Sequence, residues 1–324
     1  MKQDHVKQLN DAIRAVHSTN VKNFYFVACG GSMALLYPAH YIYDREIEIP
    51  SAIYSSNEFV HRSPKALGKG SVVILCSHSG NTPETVKAAK FAREKGAVTI
   101  AFSNLIDSPL WKAAEFPIHY DYGTDAIASD GNNGMLYRLI FGILNEIVPN
   151  EKYRRAIASV DNLQKLYEQN IKDTAKEADE FGKKYKRDKL IYTLASGPNY
   201  GVAYSFSSCL LMEMSWINSS AIHSGEYFHG PFEITDFDVP FILIKGLGET
   251  RPIDERAYEF ASKFSEKVVV IDEATFNMEG IDEDLKAYFA PLIAGVVLRQ
   301  YAGSLAEHTG HPLSVRRYMW KMEY

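Results

Sequence analysis

The sequence predicts an α/β fold in two similar halves, each a mostly parallel sheet covered by helices. Three observations carry that expectation. Short apolar runs stop abruptly in loops of Gly, Ser and Thr, and helical periodicity starts just beyond them. The clearest case is residues 72–75, which lead into Ser77-His78-Ser79-Gly80-Asn81-Thr82 and a helical pattern from Pro83. Strand-like and helical stretches alternate through the first 150 residues, the order of a parallel sheet with both faces covered. The pattern then returns at residue 190, where an apolar run ends in Ala195-Ser196-Gly197-Pro198-Asn199.

The elements follow in order. Residues 4–18 form an amphipathic helix with Val6, Leu9, Ile13 and Val16 on one face. A buried strand over 24–28 ends in Cys29-Gly30-Gly31-Ser32, and a helix resumes at Met33. A weaker strand lies at Ile53-Tyr54, with a helix opening in the polar segment that follows. The strand at 72–75 and its helix to about Lys95 come next, then a strand over 97–102, a short helix over 109–114 and a strand over 117–120. Residues 133–148 and 151–185 read as helical, which places the division between a first domain, 1–155, and a second, 156–324, inside helices. The second half offers strands at 190–194, 240–245 and 267–272 and helices at 200–217, 253–265 and 290–307. Residues 308–324 lack periodicity and are rich in Arg, Lys and aromatics.

Totals narrow the class. A length of 324 residues implies about two domains. Hydrophobic residues at 46% and charged residues at 23% suit a chain with a packed core. A net charge of -5 and a pI of about 6.1 argue against a surface built to cover nucleic acid. Cys29, Cys76 and Cys209 are too few and too scattered for a disulfide framework or a zinc site. The polar start Met1-Lys2-Gln3-Asp4-His5 shows no signal peptide, and no uncharged apolar stretch nears the roughly 18 residues of a membrane span. The expectation is a cytoplasmic protein without membrane or nucleic-acid partners.

Residues 77–82 carry the first chemical signal. A helix N-terminus leaves about four N–H groups without partners and bears the positive end of the helix dipole. Ser77, Ser79 and Thr82 add hydroxyls, and Gly80 lets backbone approach a ligand, so the loop suits an anion such as phosphate. An ordinary N-cap by Asn81 or Thr82, with Pro83 at the first helical position, accounts for the same residues. Glu213 carries the second signal. Its α-helical neighbours Cys209, Leu210, Trp216 and Ile217 are apolar, so its carboxylate is expected to be paired, protonated or lining a cavity, with burial raising its pKa. Pairing with a buried Lys, Arg or backbone group is the competing account. Residues 221–233 follow with His223, Glu226, His229 and Glu233 around the irregular turn His229-Gly230-Pro231. No metal-ligand spacing, nucleophile elbow or Walker A loop is present.

Ser77-His78-Ser79-Gly80-Asn81-Thr82 resembles the phosphate loop of sugar-isomerase (SIS) domains, reinforced by Cys29-Gly30-Gly31-Ser32 and the second copy at Ser196-Gly197-Pro198. The segment from Met212-Glu213 to His229-Gly230-Pro231 resembles that of the isomerase half of glucosamine-6-phosphate synthase, where a Glu and a His sixteen residues apart serve the chemistry; Glu213 and His229 keep that separation. The resemblance covers nearly the whole chain and is nearest to the fructosamine 6-phosphate deglycases, including the ending Arg316-Arg317-Tyr318-Met319-Trp320-Lys321-Met322-Glu323-Tyr324. Where the synthase tail has a catalytic lysine, this chain has Arg316-Arg317, always cationic and no amine base, which leaves anion or substrate anchoring as the arginine's role.

The resemblance implies two tandem SIS domains, each a mostly parallel five-stranded sheet in a flavodoxin-like three-layer sandwich. It implies a deglycase that releases glucose 6-phosphate and an amino acid without cofactor or metal. Glu213 and His229 would be catalytic, and Gly31, Ser32, Ser77, His78, Ser79 and Thr82 would bind phosphate. Ser196, Gly197, Glu226, Arg317, Tyr318 and Lys321 would meet the rest of the substrate. A homodimer or higher oligomer with shared active sites is also implied. An aminosugar-phosphate isomerase or deaminase and a non-catalytic sugar-phosphate sensor are the alternatives.

Overall fold

The computed structural model describes residues 1–323; Tyr324, the last residue of the tail quoted above, lies outside the described residues. The chain forms two compact units. The first comprises Met1–Gln164 with Gly280–Leu285, the second Lys165–Glu279 with Lys286 onward.

In chain order the first unit holds α1 (Gln3–His17), β1 (Asn23–Ala28), α2 (Gly30–Glu46), β2 (Ser51–Ser55), α3 (Ser56–Arg62), β3 (Ser71–Cys76) and α4 (Pro83–Glu94). It continues through β4 (Val98–Ser103), α5 (Pro109–Ala113), β5 (Phe116–His119), α6 (Asn132–Ile147) and α7 (Glu151–Ser159). All five strands are parallel, in the order β2-β1-β3-β4-β5. β3 is buried along its whole length, as its apolar run requires of a central strand covered on both faces. On one face Tyr25, Val27, Val73 and Leu75 pack against Ala88, Ala89 and Ala92, whose small side chains let α4 lie close to the sheet. On α1 the buried residues are His5, Leu9, Ala12 and Val16, whereas Val6 is exposed. The buried stripe is therefore one residue out of phase with the expected apolar face at Val6, because a histidine takes the inward place.

The second unit's elements are α8 (Leu163–Asp173), α9 (Ala175–Tyr185), β6 (Leu190–Ala195), α10 (Tyr200–Tyr204), a π-helix (Ser205–Met214) and β7 (Asn218–His223). β8 (Phe241–Lys245), α11 (Arg251–Phe264), β9 (Val268–Asp272) and α12 (Glu283–Thr309) follow. The sheet order is β7-β6-β8-β9, all parallel, which repeats the order of the first four strands of unit one. It has four strands, not the five expected: after β9 the polar segment 273–282 contains no apolar run that would pair as a fifth strand. β7 is not among the strands the sequence offers, because Asn218-Ser219-Ser220 is polar; as an edge strand it need bury only part of itself. α12 is long and apolar enough to cross a membrane, but 67% of its apolar window is buried inside the protein, as in a core helix.

Candidate active site

The first unit's sheet reverses direction of winding between β1 and β3, the position where open α/β sheets bind ligands. β1 and β3 end in register, Ala28 opposite Cys76, so the loops 29–32 and 77–82 leave the sheet side by side. Each opens a long helix, and neither helix carries a side-chain cap: Cys29 before α2 and Thr82 before α4 make no capping hydrogen bond. Two adjacent helix N-termini without side-chain caps, with Gly31 exposed and Ser32 half-buried, leave backbone N–H groups of the kind that suit an anion.

The loop's shape is fixed from within. The Ser77 and Thr82 hydroxyls lie 2.8 Å apart, and the Asn81 N–H donates to Ser79 Oγ at 3.2 Å. Gly80 adopts φ +65, and a Cβ there would lie 2.0 Å from Ser108 Oγ and 2.4 Å from Ser108 Cβ. Only glycine fits, for conformation and for space together. Behind the loop, Ser32 hydrogen-bonds the Cys76 thiol, whose burial pushes its pKa up to about 12 and disfavours the thiolate. His78 Nδ1 lies 3.0 Å from the Tyr120 hydroxyl, and its ring meets that of Tyr122 edge-on at 4.4 Å. Loss of water around the ring lowers the His78 pKa, which favours a neutral imidazole that donates or accepts hydrogen bonds.

In the second unit Glu213 sits near the end of the π-helix. The i–5 pitch of that helix changes which residues share its face, so the spacing argument from α-helical neighbours does not apply as written. The carboxylate has a partner: Arg316 donates from Nε to Glu213 Oε1 at 2.8 Å, and its Nη2 forms an ion pair with the same oxygen at 2.8 Å. Arg316 is buried and is itself held by the Leu313 and Val315 carbonyls. Trp216 follows at φ +58, a costly conformation for a bulky residue and one that concentrates at functional sites. Arg317 stacks over the Trp216 ring at 4.2 Å, and His311 packs on it at 4.4 Å. The tail 308–323, featureless in sequence, is thus folded onto the Glu213 segment through three contacts. Its partnership with Glu213 spans 103 residues and left no local signal.

The remaining expected residues take separate places. His229 and Glu226 are exposed on the turn after β7, joined by a bond from the His229 N–H to the Glu226 carbonyl. Tyr318 and Lys321 are exposed on the tail. No hydrogen bond or ion pair joins Glu213 to His229 among the described residues. Ser196 is buried and donates to the Thr250 carbonyl, and Gly197 lies against the Thr250 side chain. They border an acidic interior. A Cβ built on Gly246 would lie 3.1 Å from Asn199 Nδ2, 3.6 Å from Asp254 Oδ2 and 3.7 Å from Glu273 Oε2. Burial raises the pKa of both acids, Glu273 to about 8, although the Leu247 N–H donates to the Glu273 carboxyl at 3.0 Å and the Gly246 N–H to Asp254 at 3.3 Å. A recess of about 620 Å³ beside α1, lined by Asp4, Lys7, Asp11, Arg14, Trp111 and Glu115, contains none of the expected site residues.

A glycine-and-hydroxyl loop at the winding reversal of a five-stranded parallel sheet, with the same strand order repeated in a four-stranded second unit, defines a duplicated α/β architecture. The chain belongs to the SIS domain family, whose model matches residues 19–138. It is 51% identical over 319 residues to the fructosamine deglycase FrlB of Bacillus subtilis (strain 168), covering 98% of this chain and 97% of that one. The fructoselysine 6-phosphate deglycase of Escherichia coli (strain K12) is 30% identical over 325 residues, covering 98% and 93%. A Bacillus subtilis crystal structure described as a candidate phosphosugar isomerase superimposes with a TM-score of 0.96 at 51% identity over all of both chains. The C-terminal domain of glucosamine-fructose-6-phosphate aminotransferase from Francisella tularensis shares the fold, with a TM-score of 0.78 at 17% identity over 97% and 98% of the two chains.

Proposed function

We propose that this chain is a deglycase that cleaves fructosamine 6-phosphates with water, giving glucose 6-phosphate and a free amino acid. The observation that carries this reading is the 51% identity to a fructosamine deglycase across both units, and the uncapped helix starts after β1 and β3 support it. The phosphate is held by Ser32, Ser77, Ser79 and Thr82 with backbone N–H groups of Gly31 and its neighbours, and neutral His78 lines the rim. Binding energy gathered there, away from the reacting bond, orients the open-chain sugar.

The chemistry is acid–base. Glu213 removes a C1 proton to give an enaminol, and reprotonation at C2 gives a C1 imine. Water adds to C1, and the carbinolamine collapses, breaking the C1–N bond and leaving an aldehyde and an amine. Arg316 engages Oε1 of Glu213, so Oε2 is the oxygen assigned to proton transfer. His229 serves the sugar oxygen or the departing nitrogen. Glu226, Arg317, Tyr318 and Lys321, all exposed and polar-tipped, are assigned to the amino-acid portion. The reading includes a cytoplasmic homodimer or higher homo-oligomer with shared active sites, for which light scattering on the purified protein is the check.

The activity test follows glucose 6-phosphate release from a panel of 6-phosphorylated fructose–amino acids, both α-linked and ε-linked. Product from at least one is expected. No product from any, with ammonia released from glucosamine 6-phosphate instead, would replace this reading with an aminosugar-phosphate deaminase.

A further inference from the structure

Three side chains outside the proposed active site converge at the edge of the first unit. His5 comes from α1, His119 from the last residue of β5, and Asp121 from just beyond it. Their ligand-type atoms all lie within 4.8 Å of one another. His5 Nε2 is 3.0 Å from His119 Nδ1, and Asp121 Oδ1 is 3.8 Å from each of those nitrogens. Tetrahedral Zn²⁺ with bonds of about 2.0–2.1 Å holds its ligand atoms about 3.3 Å apart. The observed separations bracket that value.

A second observation lies on the far side of the His5 ring. Its Nδ1 is buried without a hydrogen-bond partner, and so is Asp130 Oδ1, 4.0 Å away. His5 is only 1% exposed. An imidazole that gives one nitrogen to a metal commonly donates its other N–H to a carboxylate, which fixes the ring and strengthens the ligand. The Asp121 N–H donates to the Asp130 carbonyl at 2.8 Å, which ties the two acidic residues together. A plain imidazole–imidazole hydrogen bond explains the 3.0 Å contact but leaves the buried Nδ1 of His5 without a partner.

We propose that His5, His119 and Asp121 bind a divalent transition-metal ion of the Zn²⁺ class, with Asp130 orienting His5 and the fourth position open to water. Two imidazoles and one carboxylate are a donor set for such an ion and not for Mg²⁺ or Ca²⁺, which select oxygen. Access is available, because the His119 and Asp121 side chains retain 18% and 17% exposure. Lys2 competes: its Nζ contacts both Asp121 oxygens, at 2.9 and 2.8 Å. The ion takes Oδ1, and Lys2 stays on Oδ2. Loading the site fastens α1, the first helix of the chain, to the edge strand of the sheet.

The test is Co²⁺ and Zn²⁺ titration of the full chain without a polyhistidine tag. Expected are one ion per chain, the visible absorption of four-coordinate Co²⁺, displacement of Co²⁺ by Zn²⁺, and a higher Tm in the presence of Zn²⁺. His119→Ala and Asp121→Asn, both at partly exposed positions, should each weaken binding by at least about tenfold. His17→Ala, on the exposed end of α1, should not. Absence of stoichiometric binding by the native chain overturns the proposal, and so does binding that survives His119→Ala in a variant shown by circular dichroism to be folded. Neither outcome bears on the deglycase reading, which is scored by glucose 6-phosphate release.

Discussion

Glu213 carries the proposed reaction, and Arg316 decides how its carboxylate presents itself. General acid–base catalysis is worth about 10²–10⁴-fold in rate, so Glu213→Gln should lower kcat by about that factor while leaving affinity for inorganic phosphate unchanged. A retained full rate in the glucose 6-phosphate assay would remove Glu213 from the mechanism. Arg316→Lys keeps the charge and loses the paired Nε and Nη2 contacts to Oε1, so it should reduce kcat more than it changes KM. Equal loss in kcat and in phosphate binding would make Arg316 a general structural support instead. Glu273 gives a second prediction at this scale. Burial lifts its pKa from about 4.5 to about 8, so the folded state holds a proton that the unfolded chain has released. Its contribution to stability is therefore complete below pH 4.5, declines as pH rises through the window from about 4.5 to about 8, and is lost above it. Glu273→Gln mimics the neutral carboxyl, so its Tm relative to the native protein should improve steadily from pH 5 to pH 8. A Tm difference that does not change with pH would refute the buried neutral acid.

The strand–loop–helix unit is the element at which sequence and structure agree best, for a physical reason. An anion site needs small residues, hydroxyls and a helix start within a few positions, so the whole signal lies in 77–82. Gly80 shows how tightly that element is made. Gly80→Ala would incur roughly 1–2 kcal/mol for an L-residue in the left-handed region, and its Cβ would also overlap Ser108. The expected result is a raised KM for phosphorylated substrate with a lowered Tm, and Ser108→Gly in the same chain should recover part of both. Unchanged KM in Gly80→Ala would mean that the loop does not hold the phosphate. Other elements were not legible. The π-helix adds a residue per turn without changing composition, so Glu213 was assigned α-helical neighbours. β7 is polar at its start and gives no apolar run. Contacts such as Arg316 with Glu213, or Arg317 with Trp216, join positions a hundred apart and exist only once the tail is folded.

The two units share a strand order, but their corresponding loops have diverged in charge. β1 corresponds to β6 and β3 to β8, so Cys29–Ser32 matches Ser196–Asn199, and 77–82 matches the loop from Gly246 to Thr250. In both units the helices after these loops start without side-chain caps, and the first unit's loops carry the more hydroxyls. In the second, Arg251, the first residue of α11, is spent on Asp272, Glu255 and the Gly246 carbonyl. Although burial opposes it, Arg251 leads the contacts that hold the Asp272 pKa down to about 2. Asp254 and Glu273 lie buried beside Gly246, at the start of that loop. Their carboxyls already accept from the Gly246 and Leu247 N–H groups, so these backbone donors are taken before a phosphate could use them. The sequence showed the repeat of topology but not this divergence, because Asp254 and Glu273 stand well outside the loop and converge only through β8, α11 and the end of β9. The duplicated fold should therefore bind one sugar phosphate per chain, not two. Calorimetric titration with glucose 6-phosphate should give a stoichiometry near one, with affinity lost in Ser79→Ala/Thr82→Ala and kept in Thr250→Ala. A stoichiometry of two, or loss of binding in Thr250→Ala alone, would assign phosphate recognition to the second unit.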